Sequence, residues 1–140
     1  MIFSKSKEDS KGIPPGTLVY SGKVRTERIK ITLIEYNSDE FIEKDFYDLD
    51  ECMRNIKPNM VKWINIDGIH NIEIIEKIGN MFEIHPLTLE DIVNTDQRPK
   101  FEDYDDYVVA IMKMLYYEKG LRAEQLTVVL KENTVISFQE

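Results

Sequence analysis

The chain is poor in the residues that most often build disulfide, zinc and nucleotide sites. Among its 140 residues are one cysteine, Cys52, and two histidines, His70 and His85. A single cysteine forms no internal disulfide, and two histidines are too few for a His/Cys zinc site. The six glycines are scattered, so the sequence contains no glycine-rich phosphate loop. These shortages leave oxygen ligands as the main option for binding a metal.

Long hydrophobic runs are also missing. No stretch approaches the ~18 apolar residues that a membrane-spanning helix needs, and the first residues do not resemble a secretory signal. Hydrophobic residues still make up 42% of the chain, enough for one core, and the formal net charge is −8. Excess negative charge disfavours nucleic acid and anionic membrane surfaces as partners. We therefore expect a single soluble domain whose charge suits cationic ligands.

Hydrophobic periodicity predicts alternating strands and helices after a flexible segment at residues 1–12. Strands are predicted at 17–20, 28–36, 61–66, 107–117, 126–130 and 134–138. Helices are predicted around Phe41 and Ile42, and at 48–56, 71–82 and 86–94. Residues 107–117 are apolar in both phases, which favours a central strand covered on both faces. The pattern predicts an α/β (α+β) domain over residues 13–140 with a mixed sheet.

The helix at 86–94 has an adjacent acid pair, Glu90 and Asp91. At about 100° per residue, placing Leu89 on the buried face points Asp91 into solvent and puts Glu90 and Asn94 on one flank. The three side chains would then form an oxygen-rich edge. The two carboxylates diverge too far to chelate one ion. Because Mg²⁺ keeps several waters and takes only one or two carboxylates, we expect half of a site, completed by an acid elsewhere.

Other interpretations of the acidic residues remain open. Glu90 and Asp91 also fit an ordinary solvated helix face. Glu102, Asp103, Asp105 and Asp106 fit a charged approach to a strand, protecting it from wrong pairing, and they lack the glycine and distal glutamate of a Ca²⁺ loop. A metal-dependent hydrolase using Glu90 or Asp103 would need convergent carboxylates and a base. His70 and His85 fit helix capping or packing, and Cys52 fits a small buried hydrophobe rather than a nucleophile.

The order of several short motifs resembles the amino-terminal cytoplasmic domain of the CorA family of Mg²⁺ channels. The matching blocks are residues 14–20 (PPGTLVY), 63–70 (WINIDGIH), 85–87 (HPL) with 89–92 (LEDI), 97–100 (QRPK) and 138–140 (FQE). Each block is weak alone, but their joint order and spacing cover the chain from about residue 13 to its end. The resemblance implies a three-layer α-β-α sandwich around a mixed sheet.

The same resemblance implies a function. Full-length members are homopentamers in the cell membrane, with this domain on the cytoplasmic side. A stalk helix and two membrane helices with a Gly-Met-Asn loop follow the domain, and they are absent from this sequence. Regulatory Mg²⁺, for which Co²⁺ or Ca²⁺ can substitute, binds between neighbouring subunits. The implied ligands here are Asp91, Glu90 at a second site, and more weakly the backbone carbonyl of Ile13.

The sequence thus predicts a non-enzymatic domain that senses intracellular Mg²⁺ and closes a pore for Mg²⁺, and possibly Co²⁺ or Ni²⁺. Two alternatives stay open. One is a free-standing soluble metal-binding or interaction module, and the other is the equivalent domain of a Zn²⁺ transporter of the same superfamily. Two downstream apolar segments with Gly-Met-Asn would distinguish a transporter from a module. The transported ion is chosen largely at the pore and is not specified by these residues.

Overall fold

The computed structural model describes residues 14–22 and 28–140, so the predicted flexible segment 1–12 lies outside the described residues. The described residues form seven strands and three helices. In chain order these are β1 (Lys30–Tyr36), β2 (Phe41–Phe46), α1 (Leu49–Asn55), β3 (Val61–Asp67), α2 (Ile72–Phe82), α3 (Pro86–Val93), β4 (Lys100–Tyr104), β5 (Tyr107–Tyr117), β6 (Leu121–Lys131) and β7 (Thr134–Gln139). The predicted helices at 48–56, 71–82 and 86–94 are confirmed to within about two residues.

The strands form one mixed sheet in the order β2-β1-β3-β7-β6-β5-β4. The pair β3–β7 is parallel, and the other neighbouring pairs are antiparallel. The predicted mixed sheet is therefore confirmed. The last two strands, both predicted, form a hairpin with Lys131 opposite Thr134.

One face of this sheet packs against all three helices. Alternate strand residues such as Leu33, Ile64, Ile136 and Val129 are opposite one another across the sheet. They belong to the same buried cluster as helix residues including Cys52, Ile75, Ile78, Leu89 and Ile92. Burying these side chains contributes about 25 cal/mol per Å² of apolar surface removed from water. The described residues thus supply one helical layer of the predicted three-layer sandwich.

The opposite face of the sheet exposes apolar side chains. Four of them, Trp63, Tyr36, Val61 and Leu130, are exposed. A shallow groove of about 380 Å³ runs across this face. Beneath it, Trp63 Nε1 donates to Ser137 Oγ (2.8 Å), which in turn donates to Asn65 Oδ1 (2.6 Å). Ser137 thus satisfies the indole N–H within an apolar surface, and Asn65 satisfies the serine hydroxyl.

The predicted helix around Phe41 and Ile42 is wrong, since these residues begin β2. Asn37 explains the difference, because its side-chain oxygen accepts the N–H groups of Asp39 and Glu40 at 2.8 Å. Such an asparagine turn reverses the chain, and residues 41–46 then pair with β1 along their whole length. Pairing with a neighbouring strand outweighs a local helical pattern.

Two further strand predictions need correction. Residues 17–20 are not in a strand, and Leu18 and Tyr20 instead pack against the core. Strand β5 is next to the edge strand, not central, and only its residues Tyr107, Val109 and Ile111 are buried. The other alternating set of apolar residues in β5 lies on the exposed face of the sheet. A strand that is apolar on both sides is therefore covered by helices on one side only.

Candidate cation-binding site

Helix α3, which contains the acid pair, is fixed at its amino end by His85 and Tyr107. His85 Nδ1 accepts the N–H of Leu87 (3.1 Å), so this histidine is the N-cap, and Pro86 occupies the first helical position. The Tyr107 hydroxyl accepts the His85 N–H (3.0 Å) and is 3.1 Å from Thr88 Oγ1. A side chain from β5 therefore sets where the helix begins.

The carboxyl end of α3 is held by two other elements. Gln125 is fully buried on β6, and its Nε2 donates to the Asp91 carbonyl (3.1 Å). The N–H of Ser21 donates to the carbonyl of Val93 (3.3 Å). These bonds satisfy carbonyls that a helix end otherwise leaves without partners. The acid pair therefore sits on a helix that is anchored at both ends.

Glu90 contacts a tight turn in the segment at residues 14–22. The N–H of Thr17 donates to the carbonyl of Pro14 (3.2 Å), and Gly16 has φ +84°. Proline followed by glycine with positive φ is typical of a type II turn. The Gly16 N–H points outward and donates to Glu90 Oε2 (3.1 Å). Asn94 contacts the same segment, because its Oδ1 accepts the Ser21 hydroxyl (3.3 Å).

Asp91 lies on the other flank of α3 and faces β4. Lys100 Nζ is 2.6 Å from Asp91 Oδ2 and 3.0 Å from Glu102 Oε1. The Asp91 side chain is 21% exposed. The predictions that Asp91 points into solvent and that it shares one edge with Glu90 and Asn94 are therefore wrong. The predicted common flank of Glu90 and Asn94 does form.

Strand periodicity accounts for the contacts of Asp91. Lys100, Glu102 and Tyr104 alternate along β4, so all three project toward the face covered by the helices. The turn after α3 folds this strand back beside the helix. In the sequence, Lys100 belongs to the QRPK motif and Glu102 fits a charged approach to a strand. The alternation of these residues was the available signal, but the place of β4 beside α3 was not known.

Hydrogen bonds in this cluster change the acidity of its members. The bond to Asp91, and a second to Glu102, raise the pKa of Lys100 despite partial burial. The Tyr104 hydroxyl donates to Glu102 Oε2 (2.5 Å), and this bond together with Lys100 lowers the pKa of Glu102. Lys100 is therefore cationic, and Glu102 anionic, throughout the physiological pH range.

The acidic residues do not form a complete metal site by themselves. Within residues 14–22 and 28–140, no group of three His, Cys, Asp or Glu side chains is placed to hold an ion. Glu102 and Asp103 lie on the edge strand β4, and Asp105 and Asp106 form its turn into β5. Ile13, the weak carbonyl candidate, lies outside the described residues.

Cys52 lies on α1, and its side chain is fully buried in the core. Burial raises the pKa of its thiol to about 11, and the thiolate is the form that reacts with alkylating agents. We therefore expect iodoacetamide at pH 8 to leave Cys52 unmodified in the folded chain and to label it fully in denaturant. Mass spectrometry measures both states. Rapid labelling of the folded chain would contradict the assignment of Cys52 as a core residue.

Comparison with known proteins places this site in a family context. The family model described as CorA-like Mg²⁺ transporter protein matches residues 59–140, more than half of the chain. The chain belongs to the CorA family. It is 43% identical over 133 residues to the cobalt/magnesium transport protein CorA of Thermotoga maritima. That match covers 93% of this chain and 38% of the relative, so this CorA-family chain spans well under half of the relative's length.

Solved structures support the same fold. The soluble domain of CorA from Methanocaldococcus jannaschii superimposes with a TM-score of 0.54 and 17% identity, over 77% of this chain and 39% of that one. The full-length CmaX protein gives a TM-score of 0.61 and 15% identity, over 85% of this chain and 36% of that one. At such identities the likeness concerns the fold alone. Among the described residues, no helix is long and apolar enough to cross a bilayer.

Proposed function

We propose that this chain is the cytoplasmic regulatory domain of a CorA-type transporter for Mg²⁺, and possibly Co²⁺ or Ni²⁺. In this proposal Asp91 is the residue through which the domain senses intracellular Mg²⁺. The observation that carries it is the position of Asp91 on a rigidly anchored helix within the region matched by the family. Only Oδ2 of its carboxylate has a partner among the described residues, which leaves Oδ1 for a ligand.

One available carboxylate oxygen suits contact with a hydrated dication. Mg²⁺ gives up its waters reluctantly and is usually held by one or two carboxylates. The second acid would come from a neighbouring subunit of a homo-oligomer, a pentamer in our proposal. Glu90 is the weaker candidate, because its Oε2 already accepts the Gly16 N–H. For the isolated chain this implies millimolar or weaker binding, since half of the ligands are absent.

Charge repulsion across the subunit interface supplies the coupling to the pore. Two carboxylates ~4 Å apart repel by about 1 kcal/mol in water and about 4 kcal/mol at an effective dielectric of 20. Neutralising that repulsion at several interfaces would supply the ~5.5 kcal/mol that moves a two-state gate from mostly open to mostly shut. When Mg²⁺ is scarce, Asp91 and its opposing acid repel each other, the interfaces loosen and the pore opens.

The proposal is tested with Asp91→Asn in the full-length protein. We expect the MgCl₂ concentration that gives half-maximal protection from a protease to rise roughly tenfold or more, because a hydrogen bond to a charged group contributes about 1.5–3 kcal/mol. Limited proteolysis followed on gels measures this midpoint.

Asp45→Asn is the matched control for this test. Asp45 also has a lysine partner, with Lys30 Nζ at 3.2 Å, but it lies on edge strand β2, away from α3. Its substitution removes the same charge and should leave the midpoint unchanged. Equal midpoints for wild type and Asp91→Asn would contradict the assignment of Asp91 as the sensing residue.

A further inference from the structure

The carboxylate assigned to the dication already has an intramolecular cation. Lys100 Nζ lies between Asp91 Oδ2 (2.6 Å) and Glu102 Oε1 (3.0 Å). The three side chains are only partly exposed, at 33% for Lys100, 21% for Asp91 and 35% for Glu102. Salt therefore screens this cluster less than a fully exposed pair. A dication that approaches Asp91 meets the positive charge of Lys100.

We propose that Lys100 is a built-in competitor for Mg²⁺, and that it sets the concentration range in which Asp91 responds. The inference rests on the proposed role of Asp91 and adds the residue that tunes it. While the ammonium pairs with Asp91 Oδ2, it weakens the attraction of this carboxylate for a dication, although one ammonium shared with Glu102 does not neutralise both acids. The dication must displace Lys100 or bind beside it against electrostatic repulsion. Either way the ammonium lowers the affinity of Asp91 for Mg²⁺.

Displacement of Lys100 is made easy by Glu102. Glu102 is a second carboxylate partner for Lys100, so the ammonium is not left without a counter-charge when it leaves Asp91. Glu102 is itself fixed by Tyr104, whose ring stacks between His85 and Tyr107 with centroids 6.3 and 4.9 Å away. The partner that receives the displaced ammonium is therefore already in place.

The backbone of Lys100 stays fixed while its side chain moves. Lys100 pairs with Ile111 in the ladder between β4 and β5, and Pro99 restricts the preceding φ. The lysine side chain has a flexible four-carbon stem, and its compact ammonium can exchange between neighbouring oxygens. The exchange between Asp91 and Glu102 thus needs rotation of one side chain and no change in the fold.

The experiment is a titration of the 140-residue chain with MgCl₂ at constant ionic strength. Backbone amide shifts of Asp91 and the side-chain shifts of Lys100 are followed by NMR. Lys100→Met keeps an apolar stem of similar length. We expect it to lower the MgCl₂ concentration at which the Asp91 amide shift is half complete by roughly threefold to tenfold. Lys100→Arg keeps the charge and should stay within about twofold of wild type.

The control is Lys57→Met. Lys57 Nζ forms an ion pair with Glu40 at 2.8 Å, so this variant removes the same net charge and an ion pair away from α3, and its midpoint should equal that of wild type. In the wild-type titration the Lys100 side-chain signals should move together with the Asp91 amide. The amide spectrum of each variant reports whether the fold is retained. Lys100→Gln is measured as well, so the test does not depend on one replacement.

The outcomes separate the two proposals. If Asp91→Asn abolishes the Mg²⁺-dependent shifts but Lys100→Met and Lys100→Gln titrate as wild type does, Lys100 is not a competitor and the Asp91 site stands. If Asp91→Asn titrates as wild type does, or if no variant shows shifts at Asp91, the site itself is wrong and Lys100 has nothing to regulate. If Lys57→Met lowered the MgCl₂ midpoint as much as Lys100→Met does, the change in net charge alone would explain the effect. That result would overturn the role of Lys100.

Discussion

Replacement of Phe138 by alanine should lower the free energy of unfolding by about 3–5 kcal/mol, because the substitution leaves a cavity in a packed core. Phe138 is 1% exposed and lies on β7, the middle strand of the sheet. Its partners in the ladders are Ile66 on β3 and Thr127 on β6. The surrounding side chains are held by hydrogen-bonded strands on both sides, so they cannot collapse into the space.

The loss is measured by urea unfolding of the 140-residue chain, followed by circular dichroism. Phe101→Ala is the control, since it makes the same chemical change on edge strand β4, where the ring is 67% exposed. That variant should stay within about 0.5 kcal/mol of wild type. Similar losses for the two variants would show that the helix-covered face of the sheet is not the core that holds the domain together.

Substitution of Gly79 by alanine should lower the free energy of unfolding by about 1–3 kcal/mol, although alanine is the better helix former by about 1 kcal/mol. Gly79 is the point where α2 passes close to α3. A Cβ there would overlap Leu89 Cδ1 and lie 3.0 Å from Leu89 Cδ2. Leu89 is buried in the core cluster, so its methyl groups can move only by displacing packed neighbours. The helix carrying Asp91 would therefore be pushed outward.

A double-mutant cycle tests this explanation. Leu89→Ala alone should cost about 2–5 kcal/mol, and it removes the atoms that the new Cβ would strike. In that background Gly79→Ala should become neutral or stabilising by up to about 1 kcal/mol, since only its helix propensity remains. Urea unfolding of all four chains gives the coupling free energy. A loss of the same size in both backgrounds would show that close approach to Leu89 is not the reason for glycine.

Both substitutions bear on the candidate site because Phe138 and Leu89, the residue that Gly79 approaches, belong to the core cluster against which α3 packs. Its orientation depends on the packing of Leu89 and Ile92 in the core and on the hydrogen bonds from Tyr107 and Gln125. A change in that packing moves Asp91 relative to Lys100, which is fixed on β4. The distance between Asp91 and Lys100 therefore depends on how α3 packs in the core, and the proposed sensing depends on that distance.

Local sequence patterns predicted the helices whose capping residues and apolar periodicity indicate the same boundaries. Asn71 caps α2 through a bond from the Ile74 N–H (3.2 Å), and broad apolar periodicity follows it. His85 and Pro86 start α3 in the same way. The interpretation of Cys52 as a small buried hydrophobe is confirmed by its buried position on α1. At each of these positions the local preference and the tertiary structure favour the same outcome.

The wrong predictions fall where a distant part of the chain supplies the partner. Residues 41–46 are a strand because β1 pairs with them. Residues 17–20 contain β-branched and aromatic side chains, yet the adjacent Ser21 donates its N–H to Val93 instead of to a strand. A one-dimensional pattern specifies which face of a segment is apolar, and it does not specify which segment lies beside it.

The sequence by itself determined the family, the mixed sheet with its helices, and the presence of an acid pair on a short capped helix. Only the tertiary structure decided that Glu90 turns to Gly16 while Asp91 turns to Lys100. Neighbours along a helix diverge by about 100°, so adjacent acids contact different elements. The turn at residues 14–17 and strand β4 reach α3 only through long-range packing and strand pairing, which no local pattern in the chain encodes.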